Sequence, residues 1–524
     1  MKWWIRLAIA ALVLLLFELL WLGRLERGGP PHANVDLAGG IPATFTLPRP
    51  ASGEVPIFGL PEPAPLGSRP PAIVLVHGFS GDRMGLSPLA RSLAEAGYAV
   101  LAIDVRGHGE NRNSMGRGTG NNDGLVADIG HAVDFLRTSP HVDGSRISVG
   151  GHSMGAGASL AYGGRDSGLD ALILIAGGGP LLGPQRPPNV LLLYAEDDPD
   201  FIKAGMTRVA GQLSGDAQLG IGENAGDFAK GTRVRLVEIP QTDHLSILID
   251  DVTVMETVAW LDSISGVERA SNARIEDPRL RAVQVGNLAL TLLLPGLGIV
   301  LGRLAPRVAQ TSSVRAGRRI GLFAAAFLVV LPLCAVPGAA EFLPLAVADS
   351  LVQLFAYAGV VVLAMLASRG DLALSSKTGR PLLALAVAGL GFAAIYAFTT
   401  PLNVAMHRLA LGPERAVAFA MATLGLLPFC FGQGLLLRRG TTLQATLASV
   451  AGHVVLLAAL VVGIVLEILP GVLGILLPIL GGLLFSFELL ATGIYAASRN
   501  IATIAVIESL WLAWFFAAVL PYVG

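Results

Sequence analysis

Apolar positions fall into two regimes along this chain. Up to about residue 280 they come as short runs separated by polar or glycine-rich stretches. Ala72–Val76, Tyr98–Ile103, Ile147–Val149, Leu169–Ile175, Val190–Ala195 and Val234–Ile239 are such runs. Short apolar runs bounded by turn residues predict strands buried on both faces. Between them, Leu86–Ala96 and Asp123–Arg137 predict helices, the second with Leu125, Ile129, Val133 and Leu136 at helical spacing. From Val283 onward the rhythm changes to apolar runs of roughly 20 residues, the length that crosses a bilayer as a helix. Eight such runs lie near 283–302, 320–338, 342–367, 381–400, 416–437, 443–469, 471–497 and 501–520. Pro295, Gly296 and Gly298 interrupt the first, which is expected to be kinked or re-entrant. A ninth run, Leu7 to Leu22, follows Lys2 and Arg6. It is expected to be an uncleaved anchor rather than a signal peptide, because it is long, carries Glu18 and Trp21, and has no small-residue cleavage pattern after it.

The chemistry lies in the first regime. The Ile147 strand runs into Gly151-His152-Ser153-Met154-Gly155 and then into small residues of a helix. A serine on a sharp strand-to-helix turn takes a strained backbone and needs small neighbours, which Gly151 and Gly155 supply. The Ala72 strand ends in His77-Gly78-Phe79, a turn that can present a backbone amide. Phe79 N–H and Met154 N–H are the expected pair of donors to an oxyanion. The Val190 strand is followed by Glu196-Asp197-Asp198-Pro199, and the Val234 strand by Asp243-His244. The order is serine, acid, histidine, each beyond the carboxyl end of a strand, where open parallel sheets place their sites. Asp198 is the expected acid, with Asp197 and Asp200 as substitutes, and His244 the expected base. Asp243 suits a helix cap near Ser246. His108 and His141 read as solvated loop histidines.

These motifs, with Asp104-Val105-Arg106-Gly107-His108-Gly109, resemble the α/β-hydrolase family over residues 40–265, closest to its dienelactone-hydrolase and serine-aminopeptidase-like branch. The resemblance implies a doubly wound, mostly parallel sheet and acyl transfer through an acyl-serine. Only about a dozen residues separate Ile175 from Val190, too few for an inserted lid.

Composition sharpens the division. Hydrophobic residues make up 53% and charged residues 14%, but most of the charge lies in the first 280 residues. The expected organisation is an anchor at 1–25, a hydrolase domain at 40–265, a linker at 266–282 and an all-α multi-span membrane domain at 283–524. Alternate loops of that domain hold Arg303, Arg307, Arg315, Arg318, Arg319, Arg369, Lys377, Arg380, Arg438, Arg439 and Arg499, while the others hold only Arg408 and Arg415. The positive-inside rule then puts the first set in the cytoplasm and the hydrolase on the extracytoplasmic side. Lys2 and Arg6 ahead of the anchor agree with that topology.

Both cysteines, Cys334 and Cys430, fall within spans, so no disulfide is expected in the outer domain. The chain has no metal-ligand spacing and no phosphate-binding glycine loop, so neither cofactor nor metal is expected. Net charge is −1, without a basic cluster on the hydrolase, and no nucleic-acid partner is expected. Asp349, His453, Glu488 and Glu508 fall inside spans. The last three lie at similar depth and form either a polar path or neutral interhelical hydrogen bonds. Glycines 471, 474, 481 and 482 suit close helix packing. The expected function is hydrolysis of an ester or lipid-like acyl substrate beside a bilayer. The alternatives are an acyltransferase with a membrane-bound acceptor, and a transporter or sensor with a hydrolase-like binding domain.

Overall fold

The computed structural model describes residues 2–50, 59–117, 122–267, 277–309, 316–335, 342–371 and 380–524. The chain separates into two compact units. The hydrolase unit comprises Leu22–Arg281, Asn403–Arg408 and Pro521–Gly524, and the helical unit comprises Met1–Trp21, Ala282–Leu402 and Leu409–Leu520.

A long helix, α1 (Lys2–Arg27), opens the chain. There follow β1 (His32–Leu37), β2 (Ile41–Thr46), β3 (Ala72–Val76), α2 (Ser87–Glu95), β4 (Ala99–Ile103) and α3 (Asn122–Thr138). Then come β5 (Ile147–His152), α4 (Met154–Gly163), β6 (Ala171–Ile175), β7 (Val190–Ala195) and α5 (Asp200–Ser214). The unit's last elements are β8 (Asn224–Ala225), β9 (Val234–Ile239) and α6 (Asp251–Ser265).

The strands form one sheet in the order β1-β2-β4-β3-β5-β6-β7-β9-β8. The six from β4 to β9 are parallel, while β1, β2 and β8 pair antiparallel at the margins. Every residue of β3, β4, β5, β6 and β7 is buried, as continuous apolar runs require. The two-residue period divides the core. Ala72, Val74 and Val76 pack with α3, α4 and α5 on one face, and Ile73 and Leu75 with α2 and α6 on the other. β1 begins ahead of the start expected at residue 40. As a margin strand with partly exposed residues, it lacks the apolar run that marks the central strands. Of the expected linker, residues 268–276 lie outside the described residues. The two later returns of the chain complete the hydrolase unit. Tyr522 pairs its backbone with the loop after β4, its N–H donating to Gly107 O (2.7 Å) and its carbonyl accepting from Met115 N (2.9 Å).

The helical unit contains α7 (Pro278–Leu304), α8 (Ala316–Cys334), α9 (Ala348–Ser368), α10 (Pro381–Leu402), α11 (Ala416–Leu437), α12 (Thr442–Val465), α13 (Leu473–Ser498) and α14 (Ile501–Val519). With α1 these make nine helices, among the described residues, long and apolar enough to cross a membrane. Large apolar side chains such as Leu328, Leu382, Leu424 and Val465 are exposed on them.

α7 is a single helix with Pro295 inside it, rather than the broken pair of half-helices of a re-entrant segment. Glycines on the facing helix explain how it packs there. A Cβ on Gly493 would sit 2.4 Å from Pro295 O, and one on Gly298 2.2 Å from Leu490 O, so α7 and α13 touch backbone to backbone. Gly471, Gly474 and Gly482 meet nothing within 4 Å, so the close packing expected there lies elsewhere. Asp349 is not deep in a span. It sits in the first turn of α9, where its Oδ1 accepts from Phe342 N (3.0 Å) and Leu343 N (2.6 Å).

Candidate active site

The turn between β5 and α4 holds Ser153 at φ 53°, ψ −114°, a left-handed conformation that a residue with a side chain rarely adopts. Its surroundings force this geometry. A Cβ on Gly155 would lie 2.4 Å from Val76 O, and one on Gly151 2.3 Å from Gly155 O. The helix therefore starts hard against the sheet, and the serine hydroxyl is left projecting from the turn.

His244 and Asp198 come to this hydroxyl from the ends of β9 and β7. Ser153 Oγ lies 3.0 Å from His244 Nε2, and His244 Nδ1 lies 2.6 Å from Asp198 Oδ1. Asp198 Oδ2 accepts from Ala195 N at 2.8 Å, so both oxygens of this buried carboxylate are occupied. Asp197 and Asp200 do not make this contact. Asp197 donates its N–H to Thr242 O (3.0 Å), and Asp200 opens α5. Asp243 accepts at Oδ1 from Leu245 N (2.9 Å) and Ser246 N (2.8 Å) just ahead of the 3-10 turn Ser246–Ile249, whose N-cap position is Leu245 rather than Asp243. These bonds hold its carboxyl below its ordinary range, against burial, which pushes the other way.

Met154 is the first residue of α4, and an amide there has no intrahelical acceptor. Phe79 lies in the turn closed by Gly81 N donating to Gly78 O at 3.0 Å. That turn is braced from below by His77. Val105 N donates to His77 Nε2 (3.2 Å), so this nitrogen is unprotonated and Nδ1 carries the hydrogen given to Gly78 O (2.8 Å). The ring is neutral, and burial pushes its pKa down. His152 is neutral for the same reason. Burial, and then the neighbouring His244, lower its pKa to about 3. Its Nε2–H donates to the backbone carbonyl of His244 (2.8 Å), which fixes the loop carrying that residue.

Two supports were not foreseen from the residues alone. His108, expected in solvent, is buried and packs edge-on against His77, ring centroids 4.9 Å apart. Asp82 anchors the turn after Phe79. It accepts from Met84 N (2.8 Å), Arg408 N (2.6 Å) and the His407 imidazole (3.0 Å). Burial would raise its pKa, but the His407 charge and these donors hold it below the usual carboxylate range. Arg83 next to it pairs with Asp104 and Glu110, and Arg408 with Glu110 (2.9 Å). Asp82 and Arg83 directly follow the His-Gly turn, a position that could have drawn attention to them. His407 is more than 300 residues away, and no local pattern marks it.

Residues 68–233 match the profile of the family described as serine aminopeptidase, S33. An uncharacterized protein of Mycobacterium tuberculosis is 32% identical over 127 residues, covering 24% of this chain and 36% of that protein. A thermostable monoacylglycerol lipase of a Bacillus species is 32% identical over 109 residues, 21% of this chain and 41% of the lipase. The chain thus spans well under half the length of these curated relatives. A Xanthomonas campestris structure described as an α/β serine hydrolase without a lid aligns at 18% identity over 46% of this chain and 97% of that one, with a TM-score of 0.32. The N-terminal part of this chain carries an α/β-hydrolase-like sheet, its residues 68–233 are similar to the serine aminopeptidase (S33) family, and a helical region of candidate spans follows.

Proposed function

We propose that the chain is a membrane-integrated serine hydrolase that cleaves an ester or related acyl bond. The observation carrying this reading is the unbroken hydrogen-bonded series from Ser153 Oγ through His244 to Asp198 and on to Ala195 N. His244 Nε2 takes the Ser153 proton as Oγ attacks the acyl carbon. Asp198 keeps the other ring nitrogen protonated and stabilises the imidazolium that forms. The oxyanion is held by the amides of Met154 and Phe79, and each such donor contributes about a hundred- to a thousand-fold in rate. His244 then protonates the leaving group, and water releases the acyl-serine by the same steps reversed.

An apolar acyl substrate suits a site tethered beside a bilayer, and similarity to a monoacylglycerol lipase supports it. The basic residues of alternate loops favour an extracytoplasmic hydrolase. The returns of the chain to the hydrolase unit favour a consistent threading. Four candidate spans separate Arg281 from Asn403, and four more separate Arg408 from Pro521, and an even number of crossings returns to the same side.

The test is fluorophosphonate labelling of the full chain in detergent, followed by p-nitrophenyl esters of increasing chain length. Labelling and turnover that vanish in Ser153→Ala are expected. Folded wild type that neither labels nor turns over any ester would refute the catalytic reading.

A further inference from the structure

Three helices of the helical unit bring polar side chains to its interior. α11 supplies Gln433, α12 supplies Ser449 and His453, and α14 supplies Glu508, none more than 6% exposed. Gln433 Nε2 donates to Glu508 Oε1, and His453 Nε2 stands 3.9 Å from the same oxygen. Glu508 Oε2, Gln433 Oε1, His453 Nε2 and Ser449 Oγ are buried without a hydrogen-bond partner.

Buried polar atoms are rarely left in this state, because each costs about 1–3 kcal/mol. The neighbouring carboxylate makes the contrast. Glu488 on α13 has both oxygens on Arg438 (2.9 and 2.6 Å) and accepts also from Thr492 (3.2 Å). That pair is electrically closed. Among the described residues Glu508 has no such arginine or lysine partner, since Arg438 is committed to Glu488.

We propose that Glu508 and His453 form a proton-binding site within the helical unit. A carboxylate in an apolar helix bundle without a paired cation is neutralised at least cost by a proton. The Gln433 amide occupies Oε1, so the proton sits on Oε2. His453 Nε2, which approaches the carboxyl at Oε1 (3.9 Å), also lacks a hydrogen-bond partner. Transfer breaks the O–H bond and forms an N–H bond, leaving carboxylate and imidazolium with the total charge unchanged. Other titratable groups near Glu508 are Cys430 and Arg438 from α11, and Arg438 in turn holds Glu488 of α13. Glu508 lies seven residues into α14 and His453 eleven into α12, so the site is roughly 10–17 Å from those helix ends at 1.5 Å per residue. The reading is independent of the hydrolase chemistry.

The test is infrared pH-difference spectroscopy of the full chain in lipid nanodiscs, in H2O and D2O. The expected result is a protonated-carboxyl stretch, shifted by deuterium, that is lost in Glu508→Gln. In His453→Asn the midpoint of that band should move by about one pH unit or more. This second variant keeps the test decisive if Glu508→Gln folds poorly. Absence of the band in wild type, its persistence in folded Glu508→Gln, or an unmoved midpoint in His453→Asn would overturn the proposal. So would stabilisation of wild type but not Glu508→Gln by sodium chloride over choline chloride without a carboxyl band, which would mark a metal-cation site instead.

Discussion

Two carboxyl–imidazole pairs, one in each unit, are finished differently. In the hydrolase unit, Asp198 and His244 stand 2.6 Å apart, the second carboxylate oxygen takes an amide, and the second ring nitrogen faces a hydroxyl. In the helical unit, Glu508 and His453 stand 3.9 Å apart, and one carboxylate oxygen and the facing ring nitrogen have no partner. The first pair is locked in one orientation, as transition-state stabilisation requires. The second has an unmade hydrogen bond on each side, which suits taking up and giving back a proton. Residue types alone do not distinguish these roles; what surrounds the pair does.

The contrast is broken most severely by Asp198→Asn. An asparagine keeps the shape but donates where the carboxylate accepted, so His244 is left in the wrong tautomer. Loss of about 10⁴-fold in kcat is expected, with the fold intact. Ester turnover and circular dichroism on the same sample check it. A loss below about tenfold would mean that His244 does not depend on Asp198.

A second test strikes the closed pair in the helical unit. Arg438→Met removes the cation from Glu488 and leaves a buried charge uncompensated, which typically costs about 3–5 kcal/mol. Glu488→Gln together with Arg438→Met is expected to recover most of the loss, because neither charge then remains buried. Thermal unfolding in detergent reads both. Recovery by the double variant would show that charge balance, rather than shape, organises this interior.

How much of this was legible follows from distance along the chain. The strands, the serine turn and the order serine–acid–histidine depend on short segments, and residues within a few positions of Ser153 and Asp198 specify them. Asp198 was separable from Asp197 and Asp200 because it is third after β7, which lets its Oδ2 reach back to Ala195 N. Asp82 with His407 was not legible, since the partners meet only when the chain returns to the hydrolase unit after α10. The burial of His108 was hidden for the same reason: its neighbour His77 belongs to a different turn. In the helical unit, the alignment of His453 and Glu508 followed from span lengths. That Glu488 instead takes Arg438 did not, because an arginine at a span end reads as a loop charge.

The Asp82–His407 pair offers a third carboxyl–imidazole arrangement, with Asp82 well partnered and one step removed from the serine. Asp82→Asn keeps an acceptor for the amides of Met84 and Gly85 yet weakens the hold of His407 and Arg408. The turn bearing Phe79 then loosens, with an expected fall in kcat of about tenfold and little change in KM. His407→Gln is expected to do the same, and the two together no more than either alone, because they act through one contact. Additive losses would place the two residues in separate roles.

The smallest effect concerns acid stability. His152 is held neutral with a pKa near 3 against an ordinary value of 6.5, and burial lowers His77 as well. In each case the folded value lies below the unfolded one, so above 6.5 neither state binds the proton and stability is complete. As pH falls through 6.5 toward 3, the unfolded chain takes up protons that the folded one refuses, and stability declines. The slope is about 1.4 kcal/mol per pH unit for each such histidine. Hydrogen exchange of the β3 and β5 peptides in the full chain, corrected for intrinsic rates, measures this. His152→Gln is expected to flatten the slope by one proton while lowering stability at neutral pH, since the bond to the His244 carbonyl changes. An unchanged slope would mean that His152 protonates in the folded chain. In that case the loop carrying His244 is braced by a charged ring, and the hydrolase unit would share the openness to protons here reserved for Glu508 and His453.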